Sequence, residues 1–330
     1  MILVVRKFAV LLLLPLLLCP AMAVDTPQDL LAAGRVDEAI NTLQGQISVT
    51  PDSAQSYNLL CRAYFSLGDW DHAVSACQRA VSLEPNNSNY HLWLGRAYGE
   101  KADHVNFLSA AGLAKKLRNE FERAVALNPN SADARTDLAE FYLEAPGIVG
   151  GGRDKARAQA QILMKLNPSK AHWVHARIAE KDNDTVTAEK EYRAMLDSSH
   201  DSADAWLELA IFYRRAHRLD DMEEAVKHVA TSPRNRQDVL VDAAETLIRA
   251  GRDFPLATQL LRRYLATGTV EEAPAFKAHY LLGTLLEKQG DKQAAAQEYR
   301  ASLALARNFG RAQEALNRVS QYAGPSAVAH

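Results

Sequence analysis

An all-α solenoid of stacked helix pairs is the fold class that this 330-residue chain predicts, on three observations. Pro51, Pro85, Pro129 and Pro168 fall 34, 44 and 39 residues apart. Each proline closes an amphipathic run, as in the stretch from Val81 to Pro85. Between them apolar residues recur at helical spacing with a break near the middle, so that each period holds two helices and a turn. Units repeating every 20 to 50 residues or so cannot bury their apolar faces alone, and stack into one continuous core.

Taken in chain order, residues 1–23 read as a signal peptide. Arg6 and Lys7 precede an apolar run from Phe8 to Cys19, and Ala21, Met22 and Ala23 supply the small-x-small pattern of a cleavage site. The run is too short to span ~30 Å of hydrocarbon, and Leu18, rather than a small residue, precedes Cys19, which disfavours a lipid there. The expected mature chain is therefore periplasmic or secreted. Without Arg6 and Lys7 the 38 basic residues become 36 against 40 acidic ones, a net charge of about −4 with no long block of one sign. That balance argues against nucleic acid as a partner. No later segment approaches eighteen apolar residues in a row, so no stable membrane insertion is expected.

Residues 25 to 51 read as a first unit with a clipped first helix, marked by Gly34, Ala39 and Pro51. Residues 54 to 87 form the clearest unit: Tyr57, Leu60, Cys61 and Tyr64 at helical spacing, a break at Gly68, then Ala73, Cys77, Ala80 and the closing Pro85. The next keeps Leu94, Gly95, Tyr98, Phe121, Ala124 and Pro129, with ten extra residues around Asp103 to Gly112. The fourth keeps Leu138, Ala139, Tyr142, Ala156, Ala160 and Pro168, with five extra residues in the glycine-rich stretch after Glu144. Looser units follow: His172, Ala188 and Tyr192; Trp206, Leu209, Ala210, Tyr213 and Val226; Val241, Ile248, Ala257 and Tyr264; Leu282, Gly283, Gly290, Ala295 and Tyr299. A helix from Phe309 to Tyr322, apolar at Leu316 and Val319 only on one side, suits a C-terminal cap, and Gly324 and Pro325 open a tail expected to be disordered over 323–330. The solenoid is thus expected over 24–322, in about eight units.

The order of large, small and aromatic positions resembles the tetratricopeptide repeat, which carries Trp, Leu, Gly, Tyr, then Gly, Ala, Phe, Ala and Pro over about 34 residues. Here Tyr57 stands for the Trp and Cys77 for the Phe. The resemblance implies a right-handed superhelix of antiparallel helix pairs whose first helices line a concave groove. By register, the implied groove residues are Asn58, Arg62, Leu92, Arg96, Glu140, Trp173, Arg177, Arg214 and Arg249. Arg62 and Arg96 hold equivalent positions of adjacent units, about one helix-packing distance of 10 Å apart, and a guanidinium suits carboxylate or phosphate. Some members of the family clamp a carboxylate with Lys, Asn and Arg; only Asn58 matches in type, so no clamp is implied. Pairing of these arginines with neighbouring acids is the competing reading. The family's packing also brings Cys61 and Cys77 together, and either a disulfide or two small buried thiols would fit.

Other motifs point to no chemistry. Gly147 and Gly152 have phosphate-loop spacing, but Arg153 and Asp154 replace the Lys-Ser/Thr that should follow, and a helix rather than a strand precedes; an inter-helix turn with Asp154 as cap is expected. His172 and His175 lack the further ligand that a metal site needs. No nucleophile, base and acid set can be assembled. The expectation is a non-enzymatic scaffold of the cell envelope or secreted space, without metal or cofactor, holding a protein or peptide in its groove. The alternative is a polysaccharide- or lipid-intermediate-binding module closed by insertions at 99–120 and 145–154.

Overall fold

The computed structural model describes residues 25–234 and 236–321, and they fold as helices in antiparallel pairs. The pairs are α1 (Pro27–Ala32) with α2 (Val36–Val49), α3 (Ala54–Leu67) with α4 (Trp70–Leu83), α5 (Ser88–Ala102) with α6 (Phe107–Leu127), and α7 (Ala132–Glu144) with α8 (Arg153–Leu166). They continue as α9 (Pro168–Lys181) with α10 (Thr185–Ser198), α11 (Ala203–Arg215) with α12 (Leu219–Thr231), α13 (Val239–Ala250) with α14 (Phe254–Thr267), and α15 (Ala275–Lys288) with α16 (Lys292–Leu305). α17 (Gly310–Gln321) packs on the last pair. Among the described residues there is no strand, only one isolated bridge between Val270 and Ala273. The signal peptide expected over 1–23 and the tail expected over 323–330 lie outside the described residues.

The periodic prolines act through the residue before them. Thr50, Glu84, Asn128 and Asn167 cap the C-termini of α2, α4, α6 and α8 with ψ of 82°, 77°, 86° and 92°. A following proline ring forbids the helical ψ at such a position, which ends each second helix and turns the chain toward the next pair. Side chains of Ser53, Asn87, Ser131 and Asn167 then cap the N-termini of the helices that follow.

Within a pair, a small residue of the first helix receives a large one of the second. A Cβ on Gly95 would stand 2.4 Å from the Phe121 ring, and one on Gly283 would stand 2.6 Å from that of Tyr299. In the second pair both positions are cysteine. Cys61 and Cys77, fully buried with Cα atoms 5.2 Å apart, are joined as a disulfide, so a covalent bond replaces the small-to-large contact there.

The array curls until its ends meet. Leu30, Leu31, Val36 and Ala39 of the first pair share an apolar cluster with Phe276, Ala306, Phe309 and Ala312. Polar contacts fasten the seam: Thr269 Oγ1 donates to the Ala32 carbonyl at 2.6 Å, and the Arg307 backbone N–H and Nε donate to Asp37 at 3.0 and 3.1 Å. The loop between α14 and α15 reaches back to α3, where Arg62 donates to both oxygens of Glu271 at 2.5 and 2.6 Å. A solenoid end is expected to need a polar cap; here the first pair is covered in part by the last.

Candidate binding surface

Most successive odd-numbered helices touch, as α1 with α3, α3 with α5, α7 with α9, α11 with α13 and α13 with α15, whereas among the described residues no comparable contact joins successive even-numbered helices. The odd helices are therefore crowded on the inside of the curve and line its concave face.

On this face Trp93 of α5 carries both expected arginines. The guanidinium carbons of Arg62 and Arg96 lie 5.0 and 5.1 Å from its ring centre, and Phe65 meets the ring edge-on at 5.6 Å. Each arginine is also committed to an acid: Arg62 to Glu271, and Arg96 Nε to Asp137 at 2.6 Å. Asp137, Arg96, Trp93, Arg62 and Glu271 thus form one ladder across three pairs and the loop between α14 and α15.

Two expected groove residues are not on the surface. Asn58 is 3% and Leu92 6% exposed, and Leu92 packs with Phe121 and Leu138. The inward position belongs to Trp93, because one residue turns a helix face by about 100°. The Asn58 side-chain amide is left without an acceptor.

The remaining expected residues lie farther along the face. Arg177 donates to Glu180 and Glu144, both at 2.8 Å, and Arg249 pairs with Glu245 one turn back on its own helix. Burial alone would raise the Glu180 carboxyl, but hydrogen bonds from Arg215 and Arg177 hold it below its ordinary range. Arg214 Nε has no partner, and burial followed by repulsion from Arg249 and Arg215 lowers its pKa. Trp173 Nε1 donates to Glu208 at 2.9 Å.

Beside these pairs runs a set of destabilised carboxylates. Burial pushes Glu208 up, with the Trp173 N–H opposing. Asp242 is raised to about 7 by burial and then by Asp238 and Glu245. Glu140 keeps contact with solvent, yet the surrounding curve of protein, then Asp137, also raises it. Burial, then Arg311, lowers Lys277.

The two insertions do not form free loops. Residues 107–127 are one helix, started by Asn106, whose Oδ1 accepts from Ser109 N at 3.1 Å. Of the ten extra residues around Asp103 to Gly112, the last six open α6 and the first four make the turn before it. After α7, Gly147–Val149 make a single 3-10 turn held by buried Val149, whose carbonyl accepts from Arg118 at 3.2 Å. Asp154 does not cap α8: the cap is Gly152, and Asp154, inside the first turn, pairs with Arg157. Between the inserted part of α6 and this turn opens a cavity of about 530 Å³, with Phe65, Leu117, Phe121 and Phe141 as apolar lining and Arg96, Asp137 and Glu140 on its wall.

His172 Nδ1 lies 2.8 Å from Glu191, as His91 and His279 lie 2.5 and 2.7 Å from Glu120 and Glu298. These are first-to-second-helix contacts, and among the described residues no group of three or more His, Cys, Asp or Glu could hold a metal. No helix among the described residues is long and apolar enough to cross a membrane. Sequence reasoning missed Trp93, Glu208 and Glu271. The first was legible in register, one position from Leu92; Glu271 left no signal, lying 209 residues from Arg62.

Two family models, both described as tetratricopeptide repeat, match residues 30–98 and 241–308. Among solved structures, yeast Tom70 is similar with a TM-score of 0.53 at 15% identity, covering 87% of this chain and 58% of that one. A thermophilic repeat protein of Thermus thermophilus gives 0.47 at 19% identity over 56% of this chain and 96% of that one. One from Parabacteroides merdae gives 0.41 at 16% over 81% and 99%. No curated protein matches the sequence.

Proposed function

The chain is a tetratricopeptide-repeat protein, and from that premise we propose that it is a non-catalytic scaffold whose concave face holds a segment of a partner protein. Repeats of this kind generally mediate protein–protein interaction. The observation that carries the reading is the inner face itself, where the Phe65 and Trp93 rings adjoin a cavity and carboxylates lacking full solvation. A net charge near −4 for the chain without residues 1–23 favours protein over nucleic acid. Export to the periplasm or outside the cell is supported by the pattern of residues 1–23 and by the Cys61–Cys77 bond, which persists in oxidising compartments.

The test is crosslinking capture by tagged protein from its native envelope, read by mass spectrometry, against Trp93→Ala and Glu140→Lys variants. A partner held by the wild type and lost in both variants is the expected result. Equal capture by all three would remove the concave face from the reading. A second reading, a polysaccharide or lipid intermediate, is favoured by one observation: both insertions wall the same cavity. Ala114 of α6 also lines that cavity, and glycan or lipid retention abolished by Ala114→Phe, with protein capture intact, would select it.

A further inference from the structure

We propose that the cavity between α6 and the turn after α7 seats large apolar side chains of a partner segment in which lysine or arginine flanks the apolar residues. This rests on the reading of the concave face as a protein-binding surface and adds the chemistry of the occupant. The lining supplies the apolar half. Phe65, Leu117, Phe121, Phe141 and Val149 face a volume of about 530 Å³, within the range of sites that enclose ligands and larger than one side chain needs. Outside it, the same two wall segments leave Phe107, Leu108 and Ile148 in water, 81%, 82% and 87% exposed. Large apolar groups so placed gain from being covered.

The charges supply the other half. Five carboxylates line the cavity, Glu100, Asp103, Asp137, Glu140 and Glu144, against a single cation, Arg96. Arg96 is spent on Asp137 at 2.6 Å and on the Trp93 ring. Glu144 is spent on Arg177 at 2.8 Å and Lys181 at 2.5 Å. Glu100, Asp103 and Glu140 form no ion pair with any described residue. An arriving cation therefore meets three carboxylates without an ion-pair partner in a concave wall, where low-dielectric surroundings strengthen the attraction. An anionic lipid headgroup or an acidic segment meets the same three as repulsion. The raised Glu140 carboxyl agrees with this field, since a nearby cation would restore its charge.

The experiment pans a random peptide display library against the full chain, then measures selected peptides by fluorescence anisotropy. Two variants accompany the wild type: Glu100→Gln with Glu140→Gln, which removes charge at constant shape, and Ala114→Phe, which fills the cavity at constant charge. Thermal unfolding confirms that both fold. The expected result is enrichment of peptides with Lys or Arg beside Leu, Ile or Phe. The double Gln variant should bind them about five- to tenfold more weakly, as for two partly exposed ion pairs, and Ala114→Phe should lose binding. Selected peptides that are acidic or wholly polar, yet released by Trp93→Ala, would overturn this inference while leaving the concave face as a protein-binding surface. Peptides of any kind bound equally by Ala114→Phe would also overturn it. No enrichment at all would overturn both.

Discussion

Closure of the solenoid can be tested at one residue, Gly34, in the turn between α1 and α2. Its φ is +71°, and a Cβ built there would stand 2.5 Å from the backbone nitrogen of Ala275, at the start of α15. Gly68 is the control: its φ is +77°, but a Cβ there meets nothing nearer than the Trp70 ring at 3.5 Å. Gly68→Ala therefore carries only the left-handed backbone cost, about 1–2 kcal/mol. Gly34→Ala carries the same cost and must in addition push the α15 backbone back by about an ångström, which adds about 1–3 kcal/mol as overpacking. Alternatively the ends part, the added cost becomes the free energy of closure, and Asp37 loses Arg307 while Arg62 loses Glu271. Urea unfolding followed by circular dichroism gives the two costs, and small-angle scattering distinguishes a strained ring from an opened one by the radius of gyration. Equal destabilisation by the two variants, with scattering like the wild type, would refute the closed arrangement.

Three further outcomes follow from local geometry. Reduction of Cys61–Cys77, which closes a loop of sequence separation 16, should lower the unfolding free energy by about 3 kcal/mol; urea titration with and without reductant reads it, and an unchanged midpoint counts against the bond. His91 is raised above its ordinary value by Glu120, with burial and Arg123 opposing and the Pro85 carbonyl assisting. A pKa higher in the folded than in the unfolded state stabilises fully below the ordinary imidazole value and is lost as pH rises through the folded value. The melting-temperature gap between wild type and His91→Gln should thus be wide at a pH of about 5.5 and narrow at about 8.5; a pH-independent gap contradicts it. Tyr264 donates to the Ala273 carbonyl and accepts from Val270 N at 2.8 Å. Tyr264→Phe should cost about 1–3 kcal/mol and speed amide exchange across 269–273; unchanged exchange there would show that the tyrosine does not hold the loop.

Much of the fold was legible because its determinants are local. Pro85 and Pro129 act on the ψ of the residue before them, and Gly95 and Phe121 belong to the same helix pair. The candidate surface was legible only in part. Arg62 and Arg96 are on it, but Leu92 is in the core and Trp93 beside it faces inward, a difference of one residue that periodicity over degenerate repeats cannot resolve. The insertions were visible as extra length, while their shared cavity was not, since its walls come from α3, α5, α6, α7 and the turn after it.

By itself the sequence determined the helices, their pairing and where each pair ends, because period, proline and capping residues act within a few turns of chain. Only the tertiary structure decided that the ends meet, that Glu271 takes Arg62 across 209 residues and that Asp37 takes Arg307 across 270. Those contacts depend on small rotations summed over every unit, and no local stretch of sequence carries the sum.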